Sequence, residues 1–418
     1  MSRQGLGPVT RSAAASGFGV EFAAGPGNNV QRKAALQTGK RVAGGEPKYV
    51  DAAAGSKKNR AAFEDITNRG ESQPPSRKEH ICKPNETSTA YTYSLAHTNQ
   101  VGIVSDVLQA QLRHNGSAGA AHMDTELCSP GAQRAWKDID ALEQEDQLAC
   151  SEYINDIMHH LFQAETRRRP STTYMETLQR DINATMRGIL VDWLVEVAQE
   201  YKLVSDTLYI AVGFIDRYLS AREVVRAKLQ LVGVACMLIA AKYEEIYAPQ
   251  IEEFCYITDN TYSREEILAM EHEILGLLQF ELTVPNAKVF SRRFIKAAAA
   301  DESAAAADGR LECLVSYLTE LTLPEYAALG FLPSQIAASA TLLANFTLGR
   351  PAWTLTLQHY TGYTPAELKP CTILIHHLFL NARRSSMPAI CDKYASPKYV
   401  CVSAVGTPEQ LPEWLFQF

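Results

Sequence analysis

The sequence predicts an all-α protein: two tandem five-helix domains, preceded by a leading helix and a long disordered N-terminal region. Three observations carry this. From residue 151 onward, apolar residues recur at helical spacing, and no run alternates apolar and polar residues as a half-buried strand would. Connections between the periodic segments are short, so consecutive helices pack as neighbours. The second half also repeats the first: LVGVACMLIA (231–240) aligns with QIAASATLLA (335–344), and TYSREEIL (261–268) with GYTPAELK (362–369).

Residues 1–148 are rich in Gly, Ala, Ser, Asn and Pro without sustained periodicity, which predicts disorder. The segment 151–168 then places Tyr153, Ile154, Ile157, Met158, Leu161 and Phe162 at helical spacing, and Pro170 follows its end. Helices are expected near 183–202, 205–221, 226–245, 249–257 and 263–280, and again near 285–299, 309–322, 333–348, 353–360 and 364–381. The last helix of each set opens on the same device. Ser263 with Glu266, and Thr364 with Glu367, are capping-box pairs, and Pro365 stands at a first helical position. The third helix of each set is rich in small residues, so neighbours approach closely and that helix is central. A repeat of about 100 residues is too long for a solenoid and indicates two related domains. The stretch KAAAADESAAAADGR (296–310) reads as a surface insertion or a helix extension. The expected boundaries are 149–282 for the first domain with its leading helix, 283–405 for the second, and 406–418 for a tail.

The 418-residue chain is 46% hydrophobic and 21% charged, ordinary for a soluble globular protein. No apolar run approaches the ~20 residues of a membrane helix, and MSRQGLGPVTRSAAASGFGV has no secretory apolar core. Nine scattered cysteines without a CxxC pair point to reduced thiols, away from zinc or disulfides. Charge is uneven. Residues 1–100 hold 14 Lys+Arg and 8 Asp+Glu, leaving 26 and 39 for the rest, so +6 stands against −13. An acidic globular part opposes direct nucleic-acid binding, which needs clustered basic residues.

No catalytic constellation is present. The chain lacks a phosphate-binding GxxxxGK[ST] loop, a GxGxxG fingerprint, HExxH and GxSxG. His159–His160 and His376–His377 are adjacent pairs that diverge on a helix and make poor joint ligands, as do the neighbours Glu244 and Glu245. No cofactor or metal is expected, and the chain reads as a binding protein.

One stretch poses a specific problem. In MRGILVDWLVEV (186–197), Met186, Ile189, Leu190, Trp193 and Val197 line one side of a helix. Val191, Leu194, Val195 and Ala198 line another, with Arg187 among them. A helix apolar on two sides is usually buried. The block 186–220 resembles the cyclin box. The continuation KLQLVGVACMLIAAKYEEIYAPQIEEFCYITDNTYSREEILAMEHEIL (228–275) resembles A-type cyclins in particular, and looks most like those of plants and green algae. The resemblance runs without obvious breaks from about Tyr153 to Phe280 and is looser from 285 to 400, where LKPC and SPKY still fit. It implies two five-helix domains, and a regulatory subunit that binds and activates a cyclin-dependent serine/threonine kinase and helps choose its substrates.

The residues then take expected roles. Arg187 needs an anion if its stripe is core, and Asp216 in FIDRYLS supplies one in a bidentate pair that the resemblance supports. The other stripe would be core on periodicity alone. The resemblance makes it an exposed docking groove for Arg-x-Leu peptides of substrates and inhibitors. Its floor would be Met186, Ile189, Leu190, Trp193 and Leu229, with Glu196 meeting the peptide's basic residue and Gln230 its backbone. Gly188 replaces the commoner alanine, which implies a small loss of helix propensity. The resemblance also assigns kinase contact to Lys242, Glu271, Tyr243, Phe280 and Leu282. The lysine would cap carbonyls near the kinase's mobile helix, and the glutamate would reinforce it.

RAAFEDITN (60–68) resembles a destruction box read by a ubiquitin ligase, through Arg60, Phe63, Ile66 and Asn68, with Phe63 where leucine is usual. Expected partners are therefore a kinase, Arg-x-Leu proteins and a ubiquitin ligase, with no nucleic acid and no membrane. The expected setting is the nucleus with a cytoplasmic pool, in S-phase or G2/M control. Two alternatives share the fold. A nucleic-acid-binding adaptor is opposed by the −13 charge, and a transcription-associated cyclin by the destruction-box-like segment.

Overall fold

The computed structural model describes residues 136–141, 143–300 and 309–417. The destruction-box-like segment, with Arg60, Phe63, Ile66 and Asn68, lies outside them. Among the described residues the chain is helical with no strand. A leading helix α1 (Ile154–Ala164) and a single turn α2 (Tyr174–Thr177) precede the first set of five, α3 (Ala184–Glu200), α4 (Ser205–Leu219), α5 (Leu229–Glu244), α6 (Ile251–Ile257) and α7 (Arg264–Leu277). The second set is α8 (Ala287–Ala300), α9 (Arg310–Glu320), α10 (Pro333–Thr347), α11 (Leu355–Thr361) and α12 (Pro365–Asn381), followed by a short α13 (Ala389–Tyr394).

Local chemistry sets the ends. Asn183 caps α3 by accepting from the Met186 N–H at 3.0 Å. At the start of α7 the Ser263 N–H donates to Glu266 at 2.8 Å and its hydroxyl accepts in return. At α12 the Thr364 N–H and hydroxyl both donate to Glu367. The N-terminus of α4 is capped from elsewhere: Glu245, just past α5, accepts from the Val204 N–H at 2.8 Å and the Thr207 hydroxyl at 2.6 Å.

The two small-residue helices are central. Every residue of α5 from Leu229 to Ala241 is buried, and α10 is buried from Ala337 to Asn345. Each fully buried Leu or Val contributes about 1.5–3 kcal/mol, and the small residues let the surrounding helices collect that burial. At Gly233 an added Cβ would sit 2.7 Å from Leu190 Cδ1, so α3 and α5 touch here because one of them has no side chain.

Three features depart from the sequence reading. The leading helix is shorter than 151–168, and its apolar face is only half covered: Tyr153 and Ile157 are exposed, and no α1 residue is fully buried. The described structure also reaches into the region read as disordered. Trp136 stacks on His359 at 3.7 Å, the Lys137 N–H donates to Thr356, Ile139 is buried, and Asp140 takes both outer nitrogens of Arg293 at 2.5 Å. This short polar strap follows no helical period, so periodicity passes over it. Finally, the segment after 405 packs on α12: Leu415 and Phe416 are buried, and Lys369 pairs with Glu413 at 2.7 Å. Of the alanine-rich stretch 296–310, residues up to Ala300 extend α8, with Ala297 and Ala298 buried, and 301–308 lie outside the described residues.

Candidate functional site

Arg187 and Asp216 join α3 to α4. The guanidinium Nε donates to Asp216 Oδ1 at 2.6 Å and Nη2 to Oδ2 at 2.7 Å, with both side chains buried. The remaining outer nitrogen, Nη1, donates to the carbonyls of Leu323 (2.8 Å) and Pro324 (3.1 Å) in the second helical set. Tyr174 of α2 donates its hydroxyl to Asp216 at 2.8 Å. Burial opposes the arginine's charge, but Asp216's charge and hydrogen bonds outweigh it and hold its pKa above the ordinary value. Burial, with Asp216 adding, likewise raises the Tyr174 hydroxyl. The sequence reading missed Tyr174, which arrives when α2 folds back on α4, and both carbonyls, which arrive through docking between the sets. Gly188 lies against the same junction. An added Cβ would meet Met387 Sδ at 2.9 Å and the Pro324 carbonyl at 3.2 Å, so its role is close packing as well as helix propensity.

The stripe expected to be exposed is divided. Leu190 is fully enclosed, and Met186, Leu229 and Gln230 are buried. The contact of Leu190 with α5 at Gly233 takes it into the core. Half-buried and open to solvent are Ile189, Asp192, Trp193 and Glu196, one continuous face of α3. Asp192 was not singled out from sequence. It accepts from the Ala389 N–H at the start of α13 at 3.0 Å. Burial, with Glu196 and Asp392 nearby, pushes its carboxyl up to about 7. Burial and then Asp392 also raise Glu196. The face pairs an apolar strip with an acidic edge.

A second surface forms where α5 and α7 end. Lys242 Nζ donates to Glu271 Oε1 at 2.6 Å, with the lysine half exposed and the glutamate buried, although composition alone places Glu271 in solvent. The Tyr243 hydroxyl bonds to the Thr283 hydroxyl at 2.6 Å, which brings the end of α5 against the segment carrying Phe280 and Leu282. After α7, Gln279 and Phe280 both take left-handed backbone conformations (φ 55° and 57°), and the Phe280 N–H returns to the Leu275 carbonyl. This turn leaves Phe280 69% exposed; Leu282 is half-buried. Ile246 and Tyr247, in the loop after α5, are 90% and 92% exposed and were not singled out from sequence. Among the described residues no group of three or more His, Cys, Asp or Glu could hold a metal, and no helix is long and apolar enough to cross a membrane.

Two family models cover the two helical sets: the cyclin N-terminal domain matches residues 156–283 and the cyclin C-terminal domain residues 285–408. Putative cyclin-A3-1 of Arabidopsis thaliana is 46% identical over 283 residues, covering 67% of this chain and 79% of that one. The chain belongs to the A-type cyclins. Cyclin-A1-1 of Oryza sativa subsp. japonica is 52% identical over 283 residues, again 67% of this chain, and the match spans only 55% of that relative's length. A solved viral cyclin from herpesvirus saimiri is 20% identical with a TM-score of 0.48, covering 53% of this chain and 96% of that one. By the two family matches, α3–α7 form the first cyclin box and α8–α12 the second. The Arg187–Asp216 pair, through the Leu323 and Pro324 carbonyls, joins the two boxes.

Proposed function

We propose that this cyclin binds and activates a cyclin-dependent serine/threonine kinase, using the surface at the ends of α5 and α7. The observation that carries this reading is Lys242, held half exposed by a buried Glu271, beside the outward-turned Tyr243 and Phe280. A buried carboxylate fixes the ammonium group and leaves donors for carbonyls on a partner, while exposed aromatic side chains supply apolar contact. Activation is a population shift: the cyclin binds the kinase's active arrangement more tightly and so holds its catalytic helix inward. The chain itself performs no catalysis. The test is a pull-down from dividing cells. Lys242→Ala with Glu271→Ala loses the kinase and its histone-phosphorylating activity; full retention of both overturns the assignment.

The same reading assigns substrate and inhibitor recruitment to the α3 face. Ile189 and Trp193 would take the leucine of an Arg-x-Leu peptide, over a floor of Met186, Leu190 and Leu229. Glu196 and Asp192 would take the arginine, and Gln230 the peptide backbone. Destruction through residues 60–68 by a ubiquitin ligase, nuclear action with a cytoplasmic pool, and control of S-phase or G2/M belong to the same proposal, on the resemblance alone.

A further inference from the structure

A cavity of about 160 Å³ lies between the boxes, beside the linker that joins α7 to α8. An engineered apolar cavity of about 150 Å³ is large enough to take up benzene. The wall is mainly apolar, with Ile210 and Phe214 from α4, Val284 from the linker, and Leu329, Phe331 and Ile336 from the second box. The helix α4 leaves the space open because Gly213 faces it: a Cβ there would meet nothing within 4 Å.

Besides Arg187, three arginines border the same cavity. Arg168 stands at the solvent edge, paired with Glu281. Half-buried Arg169 donates to the Leu329 and Phe331 carbonyls, both at 2.8 Å, and half-buried Arg217 to the Glu281 carbonyl at 2.8 Å. Neither makes an ion pair with a carboxylate among the described residues. The carboxylates facing them are Glu281, engaged by Arg168, and buried Glu165, engaged by the Ser334 N–H and hydroxyl. Arg187 and Asp216, also on the wall, satisfy each other. Burial lowers the pKa of both Arg217 and Arg169, with Arg168 adding to the effect at Arg217 and Glu165 opposing it at Arg169, so Arg217 is the guanidinium that faces like charge without a carboxylate of its own.

We infer that this cavity is a binding site for a small organic anion: one compact apolar group, the size of an aromatic ring, seated over Gly213, with a phosphate or carboxylate held by Arg217. An apolar recess explains the ring, and a guanidinium fork explains the anion. The cavity shares Leu282 with the kinase-facing surface but none of Lys242, Tyr243, Glu271 and Phe280 and none of the half-buried α3 face, and it does not depend on their assignment.

The test uses the full chain and three probes: phenyl phosphate, inorganic phosphate and benzyl alcohol, titrated by calorimetry and ligand-observed NMR. Phenyl phosphate is expected to bind at least tenfold more tightly than either of the others. Gly213→Leu fills the recess with a better helix former, and abolishes binding while the protein melts no earlier than the parent. Arg217→Gln weakens phenyl phosphate about tenfold and leaves benzyl alcohol unchanged. Phenyl phosphate binding no tighter than inorganic phosphate, or a folded Gly213→Leu that binds as before, overturns the proposal. If Gly213→Leu does not fold, an Arg217→Gln protein that binds phenyl phosphate with undiminished affinity does so.

Discussion

Replacing Asp216 with asparagine isolates what the junction between the boxes contributes. Asparagine keeps the shape and one carbonyl oxygen but removes the charge opposite a guanidinium that is 1% exposed. Breaking a buried pair by removing one partner costs about 3–5 kcal/mol, because the remaining charge has neither water nor counter-ion. Here the amide also turns a donor toward Arg187 or Tyr174, both of which need an acceptor. At roughly 2–4 °C per kcal/mol for a unit of this size, calorimetry of Asp216→Asn should show melting lowered by about 6–20 °C. The paired variant Arg187→Met with Asp216→Leu recovers part of that loss. It does not recover all of it, since the Leu323 and Pro324 carbonyls and the Tyr174 hydroxyl lose their partners, at about 1–3 kcal/mol for each one left buried and unsatisfied. A loss below about 1 kcal/mol in the single variant would refute this reasoning, and a fully stable double variant would show that the carbonyl contacts contribute nothing.

Other expectations follow from the same geometry. Ile189→Ala with Trp193→Ala should weaken Arg-x-Leu peptide binding in fluorescence anisotropy while kinase pull-down survives. Met186→Ala is a poorer probe, because truncating a side chain so buried costs about 2–5 kcal/mol of stability. Asp192 brings a pH dependence. Its folded pKa of about 7 lies above the ordinary 3.8, so its stabilising contribution is complete below 3.8 and lost as pH rises through about 7. A cationic peptide competes with that proton, so Arg-x-Leu affinity should rise between roughly pH 6 and pH 8, and Asp192→Asn should flatten the profile. Glu245→Ala should cost about 1 kcal/mol in denaturant melts through the lost cap of α4.

Helix positions were legible because period and punctuation agree. Ser263 with Glu266, and Thr364 with Glu367, mark starts that depend on residues three apart and on nothing distant. An arginine among aliphatics announces the need for an anion, and Asp216 is the acidic residue of the next helix's apolar face. Periodicity cannot say which neighbour covers a stripe. Leu190 is enclosed because Gly233, 43 positions later, lets α5 come close, whereas Ile189, one position earlier, stays at the edge. Tyr174, the Pro324 carbonyl and Asp192 were out of reach for a related reason: each matters through a contact formed only when separate segments meet.

The strap at residues 136–140 has a practical consequence for anyone dividing this chain. The family match starts at residue 156, which invites a truncation there. That cut would discard Asp140, the carboxylate that takes both outer nitrogens of Arg293, a side chain only 7% exposed within the second box. The fragment would look complete by homology yet lose the carboxylate shared by Arg293 and Lys296 together with buried Ile139 and the Trp136 stack, where charge-assisted hydrogen bonds alone contribute about 1.5–3 kcal/mol each. Its weakness would be misread as marginal stability of the box itself. A fragment that starts before Trp136 keeps the counter-charge, and comparing the two would measure how much of the second box's stability is supplied from outside its recognised borders.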